Sequence, residues 1–226
     1  MGGHPPHPRR TFGSGRSAHA PELFDVVDAC PIIRTWRTPG RDEEVDLAGV
    51  RDRALLLVGF VGALRRSELA ALTAADVAAH DNGLVLTLPR SKTNQTGQTA
   101  ELVVLPRAGN PARCPVVALR RWLQLSGITE GLVFRPVSKG NTVLHRGLHP
   151  ETVNNLVQQA IARGGTDPTR FSAHSLRAGF VTYAHLRGAS DRAIAHQTRH
   201  RSLATIGTYV RIQQPWVDNA ATGLGL

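Results

Sequence analysis

Apolar positions recur along the chain in two rhythms, and the change between them predicts the fold class. In "DLAGVRDRALLLVGFVGAL" (46–64) the apolar residues begin at helical spacing and then fill nearly every side. This predicts a helix through the middle of the core, broken at Gly62. A short second helix is expected over 65–72. Thr73 and Asp76, three apart, then have the spacing of a cap and its returning acid. Beyond them the period drops to two. "LVLTLP" (84–89) and "AELVVLP" (100–106) read as antiparallel strands of one hairpin, with the polar "RSKTNQTGQT" (90–99) as its tip. Helical spacing returns over 114–128, with Pro115 near the start and Gly127 at the end, and again over 149–165, 172–188, 190–198 and 202–210. A short helix is also expected at 21–30 and a short strand at 132–134. Together these elements predict an α+β fold, mainly α, with a small antiparallel β-sheet.

The remaining segments mark boundaries. Residues 1–20 are rich in Pro, Gly, His and Arg and lack an apolar stretch, so they read as a disordered tail or linker remnant and not as a secretory signal. Residues 21–212 are expected to form one domain. Residues 213–226, which include Trp216, read as a C-terminal tail that either docks on the domain or is lent to a neighbouring subunit. The longest apolar run, 54–64, is shorter than the roughly 18 residues of a membrane span. Cys30 and Cys114 lie far apart without a CxxC pair, which fits a reduced, cytoplasmic protein.

Charge narrows the partner. Lys plus Arg number 27 against 17 acids, for a formal net charge of +10. That balance points to a polyanion, nucleic acid before an anionic membrane, with a generally arginine-rich proteome as the alternative. Lys92 and Lys139 are the only lysines; the other 25 basic residues are arginine, the better bidentate phosphate ligand. The position of a lysine is therefore informative.

Several residue types could carry chemistry. His174 and Arg177, in "HSLR", share a helix face. Arg65 stands where an apolar helix gives way to a turn. It needs either an anionic ligand or an ion pair to Glu68, three residues on. Lys92 sits in the polar hairpin tip. There it is either a solvated lysine or a general acid, a role closed to arginine, which keeps its proton near neutral pH. His196 and His200 are four apart, yet no further ligand completes a metal site, and no phosphate-binding Gly-rich loop or serine-hydrolase elbow occurs. No metal and no cofactor are expected. The chain has two tyrosines. Tyr183 has apolar neighbours and reads as core, whereas Tyr209, nine residues after His200, is either a packing residue or a nucleophile.

Arg65, Lys92, His174, Arg177, His200 and Tyr209 stand in an order that resembles the tyrosine recombinases, the phage integrase family. "GALRRSELAALTAADV" is similar to the family's first arginine box, "SKT" in a hairpin to its lysine position, "HSLRAG" to its H-x-x-R box, and "RHRSLATIGTY" to its histidine-to-tyrosine segment. The resemblance implies the catalytic-core fold of that family and a site-specific recombinase that needs neither metal nor ATP. Tyr209 would form a 3′-phosphotyrosine bond. Arg65, Arg177 and His200, with His174 beside them, would stabilise the phosphorane, His174 being also a candidate acceptor of the tyrosine proton. Lys92 would protonate the leaving 5′ oxygen. Arg90, Arg135, Arg146, Arg199 and Arg201, on predicted loops, are expected to contact DNA phosphates. The implied partners are double-stranded DNA and other copies of the chain, four on two sites, at the nucleoid. Two departures stand out. Arg199 occupies the place of a usual glycine, and only about 20 residues precede the domain where relatives usually carry a further helical domain. A type IB topoisomerase and a noncatalytic DNA-binding fragment are the alternative functions.

Overall fold

The computed structural model describes residues 45–88, 100–200 and 202–207. The expected helix at 21–30 and the tails therefore lie outside the described residues. Helix α1 (Leu47–Val61) is the axis of the fold, with every residue from Val50 to Phe60 buried. Asp46 caps it, accepting from the Gly49 N–H at 3.0 Å. Asn141, from a distant loop, braces the same end: its Oδ1 accepts from Leu47 N at 3.0 Å and its Nδ2 donates to Val45 O at 2.7 Å. Burial extends to a charged segment. Arg51 donates to Asp52 through Nε at 2.9 Å and Nη2 at 2.6 Å, and Arg53 donates to the Ala112 carbonyl. Pairing of Arg51 with Asp52 inside α1, and of Arg53 with a distant backbone carbonyl, lets these charges enter the core.

Helix α2 (Arg66–Ala71) follows the α1 turn, and a single 3₁₀ turn leads into the sheet. Helix α3 (Pro115–Ser126) starts on Pro115 and ends at Gly127, whose φ of 65° is the left-handed conformation that favours glycine. Helices α4 (Pro150–Arg163), α5 (Ala173–Leu186), α6 (Asp191–Thr198) and α7 (Ala204–Gly207) complete the described chain. Helix α1 packs between α3 and α5, while α4 bridges α2 and α5. Trp122 of α3 is fully buried, and its indole N–H donates to Val133 O at 2.8 Å.

The sheet holds three strands where the pattern suggested two. β1 (Val77–His80), β2 (Gly83–Leu88) and β3 (Glu101–Pro106) run antiparallel in the order β1-β2-β3. β1 is alanine-rich and mostly exposed, so it carries no strand periodicity; the signal for it is the polar Asp81-Asn82 pair, which forms the two-residue loop between His80 and Gly83. Gly83 is required by close approach, since a Cβ there would stand 2.0 Å from Leu105 O. Leu84 faces Leu105 and Leu86 faces Val103 across the β2–β3 pair, turning one apolar face to the core, while Leu102 and Val104 of β3 stay exposed. The strand expected at 132–134 does not form. Leu132 makes only an isolated bridge to Thr73, because Val133 N donates to Leu72 O and Ala74 N to Gly131 O, tying this stretch to the end of α2 and not to the sheet.

The core position Leu119 is fully buried and Leu102 is not. Leu119→Ala should lower unfolding free energy by about 2–5 kcal/mol, against about 0.5 kcal/mol or less for Leu102→Ala, both measured by urea titration.

Candidate active site

Arg177 lies at the centre of the site. It stands on α5, whose start is fixed by Ala173 N donating to Asn154 Oδ1 at 2.9 Å. His174, in the first turn, is exposed, whereas Arg177, one turn later, is only 2% exposed. Its Nη1 donates to Ala63 O at 2.8 Å and its Nη2 donates to Thr198 O. Ala63 is the turn residue after α1 and holds a φ of 47°, unusual for alanine. Thr198 closes α6. One buried guanidinium therefore pins two turns, the first leading to Arg65 and the second to His200. The planar fork of arginine suits two diverging carbonyls in a way a lysine could not.

Arg65 precedes α2. Its backbone N–H donates to Glu68 Oε2 at 2.7 Å and its Nη1 to Glu68 Oε1 at 2.5 Å. Its side chain is 41% exposed, so the ion pair foreseen as one reading forms while the guanidinium still faces solvent.

The turn after α6 carries Arg199 and His200. Arg199 has φ 59° and ψ 37°, the left-handed conformation a glycine would take without strain. Its side chain is 6% exposed, with Nη2 2.6 Å from Glu68 Oε2 and Nε 3.2 Å from Glu101 Oε2. Nη1 reaches the Gly62 and Gln197 carbonyls at 3.3 and 3.2 Å. Burial lowers its pKa, with Glu68 and Glu101 pulling the other way. The expected phosphate contact by Arg199 is corrected accordingly: its charge is already met inside the protein, and it straps the His200 turn to α2 and β3. Beside it, the Gln197 amide donates to Val61 O at 2.9 Å and Val104 O at 2.8 Å, fastening α6 to the end of α1 and to the sheet.

His200 is where these groups converge. Its backbone N–H donates to Ala195 O at 3.1 Å and its Nδ1 is 2.8 Å from Thr198 Oγ1. Burial, then the charges of Arg177, Arg65, Arg199 and His174, press its pKa down to about 4. The ring is thus neutral at pH 7, under the positive charges of Arg177, Arg65 and Arg199.

Tyr209, Lys92, Arg90 and Arg201 lie outside the described residues. Of the other expected phosphate ligands, Arg135 folds back on its own loop, donating to Leu132 O at 2.8 Å and Glu130 O at 2.5 Å, and Arg146 is exposed before α4. His196 is exposed on α6, and among the described residues no group of three or more His, Cys, Asp or Glu side chains is placed to hold a metal. Tyr183 lies against Phe60, with ring centroids 6.2 Å apart. Thr198, Glu101 and Ala63 were not legible as site residues. A buried threonine ending a helix leaves a faint trace in sequence, and a backbone carbonyl acting through an alanine leaves none.

Two measurements check this geometry. The His200 ring should titrate near pH 4 by NMR, below the ordinary 6.5, and inorganic phosphate should raise that midpoint by opposing the surrounding cations. Because the unfolded chain takes up this proton first as pH falls below 6.5, His200 withdraws stability progressively between about pH 6.5 and 4. At position 199, Arg199→Gly and Arg199→Ala both lose the Glu68 and Glu101 pairs, but only glycine relaxes into the left-handed turn. The glycine variant should be the more stable by about 1 kcal/mol in urea melts.

Comparison with known proteins places this arrangement. The profile of the Phage integrase family matches residues 41–215. The chain is 34% identical over 178 residues to an integrase/recombinase XerD homolog from Selenomonas ruminantium, covering 79% of this chain and 52% of that protein. It thus spans about half the length of the curated relatives it matches. Its fold is similar to that of the XerA recombinase (TM-score 0.61, 18% identity, 97% of this chain and 66% of that one). It is also similar to the XerH site-specific recombinase bound to its difH substrate (TM-score 0.60, 18% identity, 89% and 52%). The chain belongs to the phage integrase family.

Proposed function

We propose that this chain is the catalytic part of a site-specific DNA recombinase that breaks and rejoins strands through a 3′-phosphotyrosine intermediate. The observation that carries the reading is the convergence of Arg65, Arg177 and His174 on His200, in the order and spacing of the family's boxes. His174 takes the Tyr209 hydroxyl proton as that oxygen attacks the scissile phosphorus in line, the bond to the 5′ oxygen breaks, and Lys92 gives the leaving oxygen a proton. Charge gathering on the phosphorane is met by the guanidinium and imidazole groups. The 5′ hydroxyl of a second strand then attacks the adduct and frees Tyr209. The energy of the broken bond is held in the adduct, so the cycle is expected to run without ATP, and the cationic side chains make a divalent metal unnecessary.

Double-stranded DNA is the substrate in this reading, with Arg90, Arg146 and Arg201 on its backbone. Four copies of the chain act on two sites, residues 213–226 docking on a neighbour and 21–212 forming the catalytic domain, at the nucleoid. No helix among the described residues is long and apolar enough to cross a membrane. Since the chain spans about half of its relatives, a DNA-binding part without strand breakage is the second reading.

The assay that separates the two uses nicked duplexes with a randomised core, in EDTA, selecting DNA that stays joined to protein in detergent. Wild type should yield a covalent band, Tyr209→Phe none, and Arg177→Ala at least about 100-fold less. Binding without any adduct from wild type would leave the second reading standing, and an undiminished band from Tyr209→Phe would remove the proposed nucleophile.

A further inference from the structure

Thr198 is a hydrogen-bond partner of the His200 ring at Nδ1. This residue ends α6 and is fully buried. Its hydroxyl oxygen lies 2.7 Å from Ile194 O, one turn back, 3.4 Å from Ala195 O, and 2.8 Å from His200 Nδ1. A carbonyl can only accept, so the hydroxyl's single proton is committed to the Ile194 side. What remains for His200 is an oxygen lone pair, and Nδ1 must donate into it. The reverse assignment would set two oxygen lone pairs against each other at 2.7 Å in a buried position.

We propose that Thr198 is a positioning residue whose back-bonded hydroxyl fixes His200 as the Nδ1–H tautomer, so that Nε2 is the nitrogen that gains and loses the proton. The Thr198 carbonyl meanwhile holds Arg177, so one residue sets both the orientation of the guanidinium and the tautomer of the imidazole. Among the described residues, the charges facing His200 include Arg177 and His174 from α5, Arg65 from the start of α2, and Arg199 from its own turn. The Glu68 carboxylate is engaged by Arg65 and Arg199. Neutral His200 therefore presents a lone pair at Nε2 and cannot donate to a phosphoryl oxygen. A phosphodiester entering this cluster offsets the cations, and Nε2 takes one proton from solvent. The resulting imidazolium keeps its Nδ1–H on Thr198 and gains an Nε2–H donor for the phosphorane. This step rests on the recombinase reading; the tautomer itself does not.

The test has two arms. In ¹⁵N-histidine NMR of the full chain at pH 7 without DNA, His200, assigned by its loss in His200→Gln, should show a protonated Nδ1 and an unprotonated Nε2. Thr198→Ser should keep that pattern. Thr198→Val removes the hydroxyl but keeps the carbonyl used by Arg177, and should move the ring toward Nε2–H. On the duplex selected above, Thr198→Val should form adduct on the order of 10-fold more slowly at saturating DNA, with Thr198→Ser near wild type. A wild-type ring protonated on Nε2 overturns the proposal. So does a Thr198→Val ring that keeps its tautomer, or one that switches while the adduct rate stays unchanged. If Thr198→Val does not fold, the wild-type and Thr198→Ser spectra decide: Nδ1–H in both upholds the assignment, and Nε2–H in either removes it. Absence of adduct from wild type would defeat the recombinase reading and leave the spectra to judge the tautomer.

Discussion

The site depends on burying one arginine. Arg177 at 2% exposure is a desolvated cation, and backbone carbonyls turned toward it offset the cost of burying its charge. Those carbonyls belong to the Ala63 turn and to the end of α6, segments more than a hundred residues apart in sequence. Supplying them sets the backbone of both turns, including the positive φ of Ala63. Strain at an alanine, costing about 1 kcal/mol, is small beside the cost of an unsatisfied buried guanidinium. The core delivers the two turns. Helix α1 is buried along most of its length and ends where the first turn begins, α5 packs beside it, and α6 packs against α5 and is tied to the end of α1 through Gln197.

Arg199 extends the same logic outward. Glu68 is shared between Arg65 and Arg199, so the first arginine box and the histidine turn meet through one carboxylate, with Glu101 at the root of β3 forming a second ion pair to Arg199. A glycine at this position would make the turn easy but leave it untied. Arginine makes the turn strained and ties it to two elements. That exchange explains why the residue, though cationic and beside the site, does not turn its charge outward.

Much of this was legible in the chain. Periodicity located α1, α3, α4, α5 and α6 because each has a distinct apolar face or is buried throughout, and the alternation in 84–89 and 100–106 marked β2 and β3. It failed at β1, whose alanines lie on an exposed edge and carry no pattern, and at 132–134, where long-range backbone hydrogen bonds override a short apolar run. For the site, box order singled out Arg65, His174, Arg177 and His200, and the first three bring their charges to bear on the fourth. It could not tell that Arg199 and Arg135 spend their donors on the protein's own carboxylates and carbonyls, since a loop arginine looks the same in sequence whether it faces solvent or folds back. Nor could it find Thr198, whose importance lies in the direction of one hydroxyl proton.

The Gln197 amide has a bearing on solubility. β3 is the outer strand of its sheet and shows Leu102 and Val104 to solvent, the combination that invites a foreign strand to add on and begin a stack. Gln197, in the last turn of α6, donates into the Val104 carbonyl at 2.8 Å. The same bond that fastens the histidine turn therefore also denies an incoming strand one rung of the ladder it would need, guarding the protein against edge-to-edge aggregation.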